Sequence, residues 1–576
     1  MTTPLRRADY LILTAYCLFL FGFAVWFDRT LTSHETVGCV NIREMRADGD
    51  YVIPHYGGRP WLERPPLPFW LTIPFVEALG DSAPAYRLAP LCVAVGCVLL
   101  VAWMASVWYG RGVGLLSGLT LATTREFTHY ATGPECDMFL CGIVTSAIAL
   151  FVYLEFRRRP AEGEGGFFVF VGRRPFALLA FFVLLGLANL AKGLFFGDLF
   201  ILLPVAAYLL LGGDRWALVR RYVWLPGWLA FAAAASAWAL SAYWRYPDII
   251  DLWKHDYAGR YNQGYMIEPW WYYLGHLPLN LFPWTLVAFL GLAVTGRQAF
   301  GHGRTPERFL WCWALVPIAF FSLPQGKHHH YLLQATAPWA VLSAVGLVRL
   351  WRWLPTVNWL DRPWPLLVTV ALPGEVALAL AGAPLGRLLP AALVLWPLVV
   401  LAYWWILSRP DLRVASIALF ALLVPLHWLG HAALPLLDDR FAADLAFLGR
   451  VREAVPSGAP LVVYDDCGPL GTSWFLYYLD GRAELLHHPS FLLRDGVANE
   501  VFVITRRYSA PRFLGYAQSE KLAESERTQD EGRDERLRFG LYRLRLHPGL
   551  ARHRGPVYIS PMQATGRALG PDLAGS

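Results

Sequence analysis

The chain has 576 residues, of which 56% are hydrophobic and 16% charged, with a mean hydropathy of +0.38. An average soluble domain is about a quarter charged, so this balance excludes an ordinary soluble or disordered protein and points to a polytopic membrane protein. The formal net charge of +7 comes from basic residues scattered between apolar runs, which suits membrane loops and gives no nucleic-acid patch.

The first apolar run, Tyr10 to Phe27, follows Arg6 and Arg7 and has no clear small-residue cleavage site, so it reads as a retained helix. Thirteen runs are candidate membrane helices, with cores at 10–27, 86–108, 113–124, 138–155, 176–190, 194–212, 222–244, 271–295, 309–323, 331–350, 364–383, 388–407 and 413–431. Placing the N-terminus in the cytoplasm gathers Arg6, Arg7, Arg111, the Arg157–Arg159 run, Arg220, Arg221, Arg304 and Arg308 into short inside loops, as the positive-inside rule requires. Thirteen spans then put the C-terminal segment outside a cytoplasmic (inner) membrane. Two long loops, about 28–85 and 245–270, also fall outside. The stretch PWLERPPLPFWLTIPFVEALG in the first is amphipathic and suits the membrane surface.

From about Asp438 the composition changes. FAADLAFLGRVREAV has helical periodicity, and PLVVY, VFVIT and FGLYRLRL read as strands. The charge run SEKLAESERTQDEGRDERLR reads as a solvated loop or helix face. The expected fold is a polytopic α-helical membrane domain over 1–437, including the outer loop 28–85, followed by a small extracytoplasmic α/β domain over 438–576. The eight cysteines show no disulfide framework by spacing.

Only four of the fifty basic residues are lysine: Lys192, Lys254, Lys327 and Lys521. The first three fall at the outside face. Lysine is a compact point charge suited to phosphate, although a position in loops alone also accounts for them. Lys192 interrupts two apolar runs in NLAKGLF, where a charge is costly and usually paired. Arg64, Lys254, Arg260 and Lys327, with the acids Glu35, Glu44, Glu63 and Asp137, join it near membrane level. Such a set suits an enzyme acting on a lipid-linked phosphate. In HHH at 328–330, an interfacial loop with one functional histidine is favoured over a metal cluster. His427 and His431, four apart on one helix face, read as a packed polar pair, and the pair at 487–488 receives no role.

Taken in order, these motifs resemble the GT-C superfamily of membrane glycosyltransferases, with the lipid A aminoarabinose transferases and protein O-mannosyltransferases most alike. Arg43-Glu44-Met45 is similar to an element of the family's first loop, and GDYVIPHYGGRPWLERPPLPFWL to its most specific motif, which places Glu63 and Arg64 on an acid–base pair. PECDMFL matches the second-loop acid at Asp137, LAKG the lysine motif at Lys192, KHDYAGRY the spacing of His255 and Arg260, and GKHHHYLL the lysine and tyrosine at Lys327 and Tyr331. The first loop departs from the family. His34, followed by Glu35, stands where an acid is expected, and Val37 and Gly38 stand where aminoarabinose relatives often carry Arg-Tyr.

The resemblance implies a polyprenyl-phosphate sugar donor, a hydroxyl or phosphate acceptor on a glycolipid, lipid A or protein, and the bilayer as surroundings. Arg64, Lys192, His255, Arg260, Lys327 and Tyr331 would bind the donor phosphate. His34, Glu35 or Asp137 would serve as base. A divalent metal is a further implied cofactor, with Glu63 as first ligand and His34 or Asp137 second. A noncatalytic glycolipid-binding relative and a polyprenyl-lipid transporter or flippase are the competing readings. Against the transporter stands the clustering of charges on one side, without a visible internal repeat.

Overall fold

A computed structural model describes all residues except 1–2, 27–29, 157–173, 213–214, 252, 255–266, 302, 354–411, 438, 466–467, 480–482, 494–496, 527–537 and 549–576. Contacts divide the chain into two units, Met1–Phe27 with Glu63–His431 and Asp28–Leu62 with Ala432–Ser576.

The first unit is helical. Among the described residues six helices are long and apolar enough to cross a membrane: Arg7–Trp26, Ala83–Tyr109, Cys136–Phe156, Pro175–Lys192, Leu225–Arg245 and His329–Trp353. The run expected as one span at 271–295 is instead two helices, Tyr272–Asn280 and Thr285–Ala299, bent by 111°; together they make a seventh. Pro283 lies in the break, where it has no N–H to continue the helical ladder. Shorter helices occupy Arg111–Ala122, Phe196–Leu211 and Pro306–Phe321, and a further helix runs Leu412–Leu437. The expected spans at 364–383 and 388–407 lie outside the described residues.

Close helix contacts follow from small residues. A Cβ on Gly291 would strike the Leu342 carbonyl, and one on Gly346 the Val287 carbonyl, so these two helices meet backbone to backbone. Polar groups separate to the two ends of the bundle. At one end the Asp9 carboxylate accepts from Arg111 at 2.7 and 2.6 Å. There too Glu155 lies 3.7 Å from Arg221 and accepts from Tyr222 at 3.1 Å. The opposite end holds the start of Cys136–Phe156, the Lys192 turn and the 3₁₀ turn His329–Ala335. The helix Leu67–Leu79 buries Phe69, Thr72 and Val76 and leaves Leu71 and Leu79 exposed.

The second unit carries a two-stranded hairpin, β1 (His55–Tyr56) and β2 (Arg59–Pro60). It also has a five-stranded sheet of β3 (Leu461–Tyr464), β4 (Ala483–Leu486), β5 (Glu500–Arg506), β6 (Ala517–Glu524) and β7 (Phe539–Leu546), in the order β4-β3-β5-β7-β6. β3 is parallel to β4 and β5, and β7 is antiparallel to β5 and β6. The run beginning at Ser519 is therefore not a loop or helix face at its start but part of edge strand β6. Its charge density suits an edge, where Glu520 meets Arg543 across the pair at 2.7 Å.

Residues 28–62 fold into this unit, so the first long loop divides at Leu62. The helix Ser33–Asp48 packs on Gly468–Tyr478, with Thr36 Oγ1 2.9 Å from Ser473 Oγ and the Trp474 indole donating to the Leu31 carbonyl at 3.1 Å. Arg43 donates to the Leu476 and Tyr477 carbonyls, and Met45 is buried. The Glu44 carboxylate accepts from the Gly57 and Gly58 amides at 2.7 and 2.9 Å. Burial pushes its carboxyl above the ordinary range, against the opposite pull of those two amides. The Arg-Glu-Met element is thus structural in this unit, tying one helix to a second helix and to a hairpin.

Gly57 and Gly58 have φ of 60° and 72°, the left-handed pair that a two-residue type I′ hairpin turn needs. A Cβ at Gly57 would also strike Leu485 on β4. Gly57→Ala is expected to destabilise this unit by about 2 kcal/mol or more through strain and collision together. Thermal unfolding and limited proteolysis of the purified protein check this; an unchanged melting curve would contradict it.

Candidate active site

The helix Pro175–Lys192 and the helix Phe196–Leu211 are joined by a turn of three residues, and a single asparagine shapes it. Asn189 Oδ1 accepts from the Phe195 amide at 2.7 Å, and Asn189 Nδ2 donates to both Asp198 oxygens at 3.1 Å. This clamp holds Phe195 at φ 60° and Gly193 at φ 114°. It leaves Lys192, 5% exposed, at the rim of the bundle.

Lys192 donates to Asp137, which sits in the first turn of Cys136–Phe156 and is also 5% exposed. A buried charge of either sign is costly alone, so each is tolerable because of the other. The ammonium also lies 5.0 Å from the Tyr331 ring centroid and 5.3 Å from that of Phe196. Tyr331 is held edge-on by Phe196 at 4.8 Å and by His330 at 4.8 Å. Half-buried Arg64 faces the same group. Burial works against its charge, but Cys136, Glu63, Asp137 and Tyr331 outweigh that and hold its pKa above the ordinary value. The result is an anion flanked by two cations and lined by aromatic rings at the end of the helical bundle. A phosphate meets two charge-assisted donors there.

The remaining expected residues divide. Lys327 is 2% exposed and donates to the carbonyls of Glu268 and Pro324, where burial depresses its pKa despite the nearby Glu268 carboxylate. It thereby secures the strap in which Ile267 pairs with Gly326. Glu63 is exposed. Exposed Lys254 pairs with Asp251 at 3.2 Å, and His255 and Arg260 lie outside the described residues. His34 and Glu35 belong to the second unit, in the first turn of Ser33–Asp48. His34 is exposed, while Glu35 is buried and closes a capping box with Thr32: Thr32 N–H donates to Glu35 Oε2 at 2.7 Å, and Glu35 N–H to Thr32 Oγ1 at 3.2 Å. The sequence Thr-Ser-His-Glu is itself the signature of such a box, a signal that sequence reasoning passed over.

The histidine tract does not converge on one point. His328 and His330 stack at 5.1 Å, whereas His329 turns to Glu126. His427 packs edge-on against Phe21 with centroids 6.2 Å apart. Glu126 and Tyr130 carry no signal in the sequence, since they lie in the polar run TTREFTHY, which matches no motif.

The donor set fits a metal poorly. Among the described residues no three His, Cys, Asp or Glu side chains are grouped to hold an ion. A divalent ion at Asp137 would face both Lys192 and Arg64. All seven described cysteines are free thiols.

No family model matches the chain. It is 28% identical over 365 residues to an undecaprenyl phosphate-alpha-4-amino-4-deoxy-L-arabinose arabinosyl transferase of Pectobacterium carotovorum, covering 60% of each chain. It is 29% identical over 353 residues to the enzyme of that name from Pseudomonas aeruginosa, covering 58% of this chain and 59% of that one. The matches thus span about 60% of these curated relatives. The crystal structure of ArnT from Cupriavidus metallidurans bound to undecaprenyl phosphate superposes with a TM-score of 0.71 at 18% identity, covering 95% of this chain and 99% of that one.

Proposed function

We propose that this helical, multi-pass membrane protein of the GT-C fold is a glycosyltransferase. It moves a sugar from a polyprenyl-phosphate donor to a hydroxyl or phosphate acceptor, with lipid A, another glycolipid and protein as the acceptor classes. The observation that carries the proposal is the Asp137–Lys192 pair with Arg64 and Tyr331 at one end of the bundle. The relatives named for undecaprenyl-phosphate sugars support the donor class.

The arginine-rich end, with Arg111, Arg221 and Arg304, is placed in the cytoplasm by the positive-inside rule. The Lys192 end then faces outward from the cytoplasmic membrane, and an odd number of spans makes the C-terminal segment extracytoplasmic. The thirteen spans read from hydropathy are part of this proposal; the runs at 364–383 and 388–407 lie outside the described residues.

In the proposed reaction an acceptor oxygen attacks the anomeric carbon of the sugar. The bond from that carbon to the phosphate oxygen breaks, and its electron pair leaves with the polyprenyl phosphate. Lys192 and Arg64 stabilise the charge growing on the departing phosphate. His255 and Arg260 are assigned to donor binding by their motif. Lys327 acts by fixing the strap, and Tyr331 by fixing the Lys192 ammonium through its ring. His34 takes the acceptor's proton; that role rests on its place in the motif order and on imidazole chemistry. Glu35 is an unfavourable alternative because its carboxylate is committed to the helix cap. No step is routed through a metal.

Binding of bare polyprenyl phosphate to the purified protein tests the phosphate site. Wild type is expected to bind saturably, and Arg64→Ala to weaken binding by about tenfold or more through loss of a charge-assisted contact. Equal affinities would contradict the assignment.

A further inference from the structure

The histidine pair at 487–488 takes part in none of the steps above. It lies in the second unit, at the carboxyl edge of the parallel strands. Asp465 directly follows β3 and His487 directly follows β4, and the Asp465 amide donates to the Leu486 carbonyl at 2.9 Å. The helix Gly468–Tyr478 joins β3 to β4, while β5 pairs on the other side of β3. The strand order therefore reverses at β3, and the crevice outside such strand ends is where open α/β sheets take their ligands.

Two side chains meet at this edge. His487 Nδ1 lies 3.1 Å from Asp465 Oδ2, and the two side chains are 11% and 17% exposed. Beside a carboxylate Nδ1 carries the proton, which leaves Nε2 of the neutral ring as an acceptor. The outer atoms, Asp465 Oδ1 and His487 Nε2, are buried and meet no hydrogen-bond partner among the described residues. Buried acceptors in that state are costly, so their retention calls for a ligand that donates. Arg59, half-buried on β2, faces the same carboxylate: burial depresses its pKa, and Asp465 opposes the shift. The hairpin that carries Arg59 is fixed by Glu44, and its Gly57 lies against Leu485 of β4. His488 is engaged elsewhere, with Nδ1 2.7 Å from Ser490 Oγ.

Two neighbouring acceptors and one guanidinium donor match the hydroxyls of a sugar, each of which donates once and can also accept. A phosphate would be repelled by Asp465. A metal ion would find two ligands here but no third among the described residues.

We infer that Asp465, His487 and Arg59 form a carbohydrate subsite in the second unit, which takes a vicinal diol of a glycan. Asp465 Oδ1 and His487 Nε2 accept from two adjacent hydroxyls, and Arg59 donates to one of their oxygens. The choice of a glycan over another diol rests on the proposed function, which gives this protein sugar-bearing acceptors. Its ligand differs from the lipid phosphate assigned to Lys192 and Arg64, so the two are titrated separately.

The test exposes an array of immobilised cell-envelope oligosaccharides, with AMP and zinc as comparison ligands, to labelled full-length protein. The best-retained oligosaccharide is then titrated in solution. Wild type is expected to bind it saturably, and Asp465→Asn and His487→Ala each to weaken binding by about tenfold or more. His487→Gln, with an unfolding curve for each variant, separates a lost contact from a lost fold. A deoxy analogue lacking one hydroxyl of the diol loses a similar factor on wild type, a readout that needs no variant. Retention of no oligosaccharide, or affinities unchanged in the variants and the deoxy analogue, overturns the subsite. Tighter binding of AMP overturns the glycan assignment, and saturable zinc uptake without sugar binding replaces it with a metal site. Bare polyprenyl phosphate, titrated in parallel, distinguishes the two failures. If it binds while no glycan does, the subsite falls and the proposed function stands; if glycan binds and it does not, the donor class falls and a carbohydrate-binding unit remains.

Discussion

Lys192→Met is expected to lower sugar transfer by at least about a hundredfold, the usual scale for loss of one group that stabilises transition-state charge. The same change should destabilise the first unit by about 3–5 kcal/mol, because it strands the Asp137 carboxylate in a buried site. Two effects in one variant are ambiguous, and the double variant Asp137→Asn/Lys192→Met separates them. With both charges gone, the burial penalty disappears and the melting temperature returns toward wild type. Transfer stays low, because the phosphate still lacks its lysine. Recovery of activity together with stability would reduce Lys192 to a structural partner. Lys192→Arg should keep stability better than activity, since a planar fork does not reproduce a point charge.

His34→Ala should reduce transfer by about 10²- to 10⁴-fold, the range for removing a general base, with little change in melting temperature, because the side chain is exposed. His34→Asp should retain part of the activity and shift the acidic limb of the pH–rate profile downward. The direction follows from ordinary ionisation: carboxyls lose their proton around pH ~4, imidazoles around ~6.5. A base must be deprotonated to act, so the histidine form loses activity at a higher pH than the aspartate form. Activity untouched by His34→Ala would transfer the role to Asp137. Glu35 is the weaker heir, since Glu35→Ala opens the Thr32 capping box and should cost about 1 kcal/mol of helix stability.

What the sequence reveals, and what it hides, follows distance along the chain. The helices Arg7–Trp26, Ala83–Tyr109 and Cys136–Phe156 lie within a few residues of their hydropathy runs, because long apolar stretches have one way to satisfy their backbone in lipid. The broken helix at Pro283 was hidden by the continuous apolarity of 271–295, although the proline was visible. Asp137 and Lys192 were each legible as isolated charges at membrane level. Their pairing was not, because 55 residues separate them and only packing of two helices closes that interval. Glu44 shows the reverse error. A motif acid that reads as one of the outer-face carboxylates is held by two amides of a glycine turn, and only the hairpin reveals it. β6 was obscured because charged residues on an edge strand imitate a solvated loop.

The arrangement of Lys192, Asp137 and Arg64 is expected to turn over a lipid-phosphate donor. The most direct measurement is a single-turnover reaction of purified wild-type protein, reconstituted in bilayer, with labelled polyprenyl-phosphate sugars and a panel of hydroxyl- and phosphate-bearing acceptors. The predicted result is release of polyprenyl phosphate in equal amount to glycosylated acceptor, lost in Lys192→Met. Saturable donor binding without release from any donor–acceptor pair would contradict it, and would make the protein a glycolipid-binding relative.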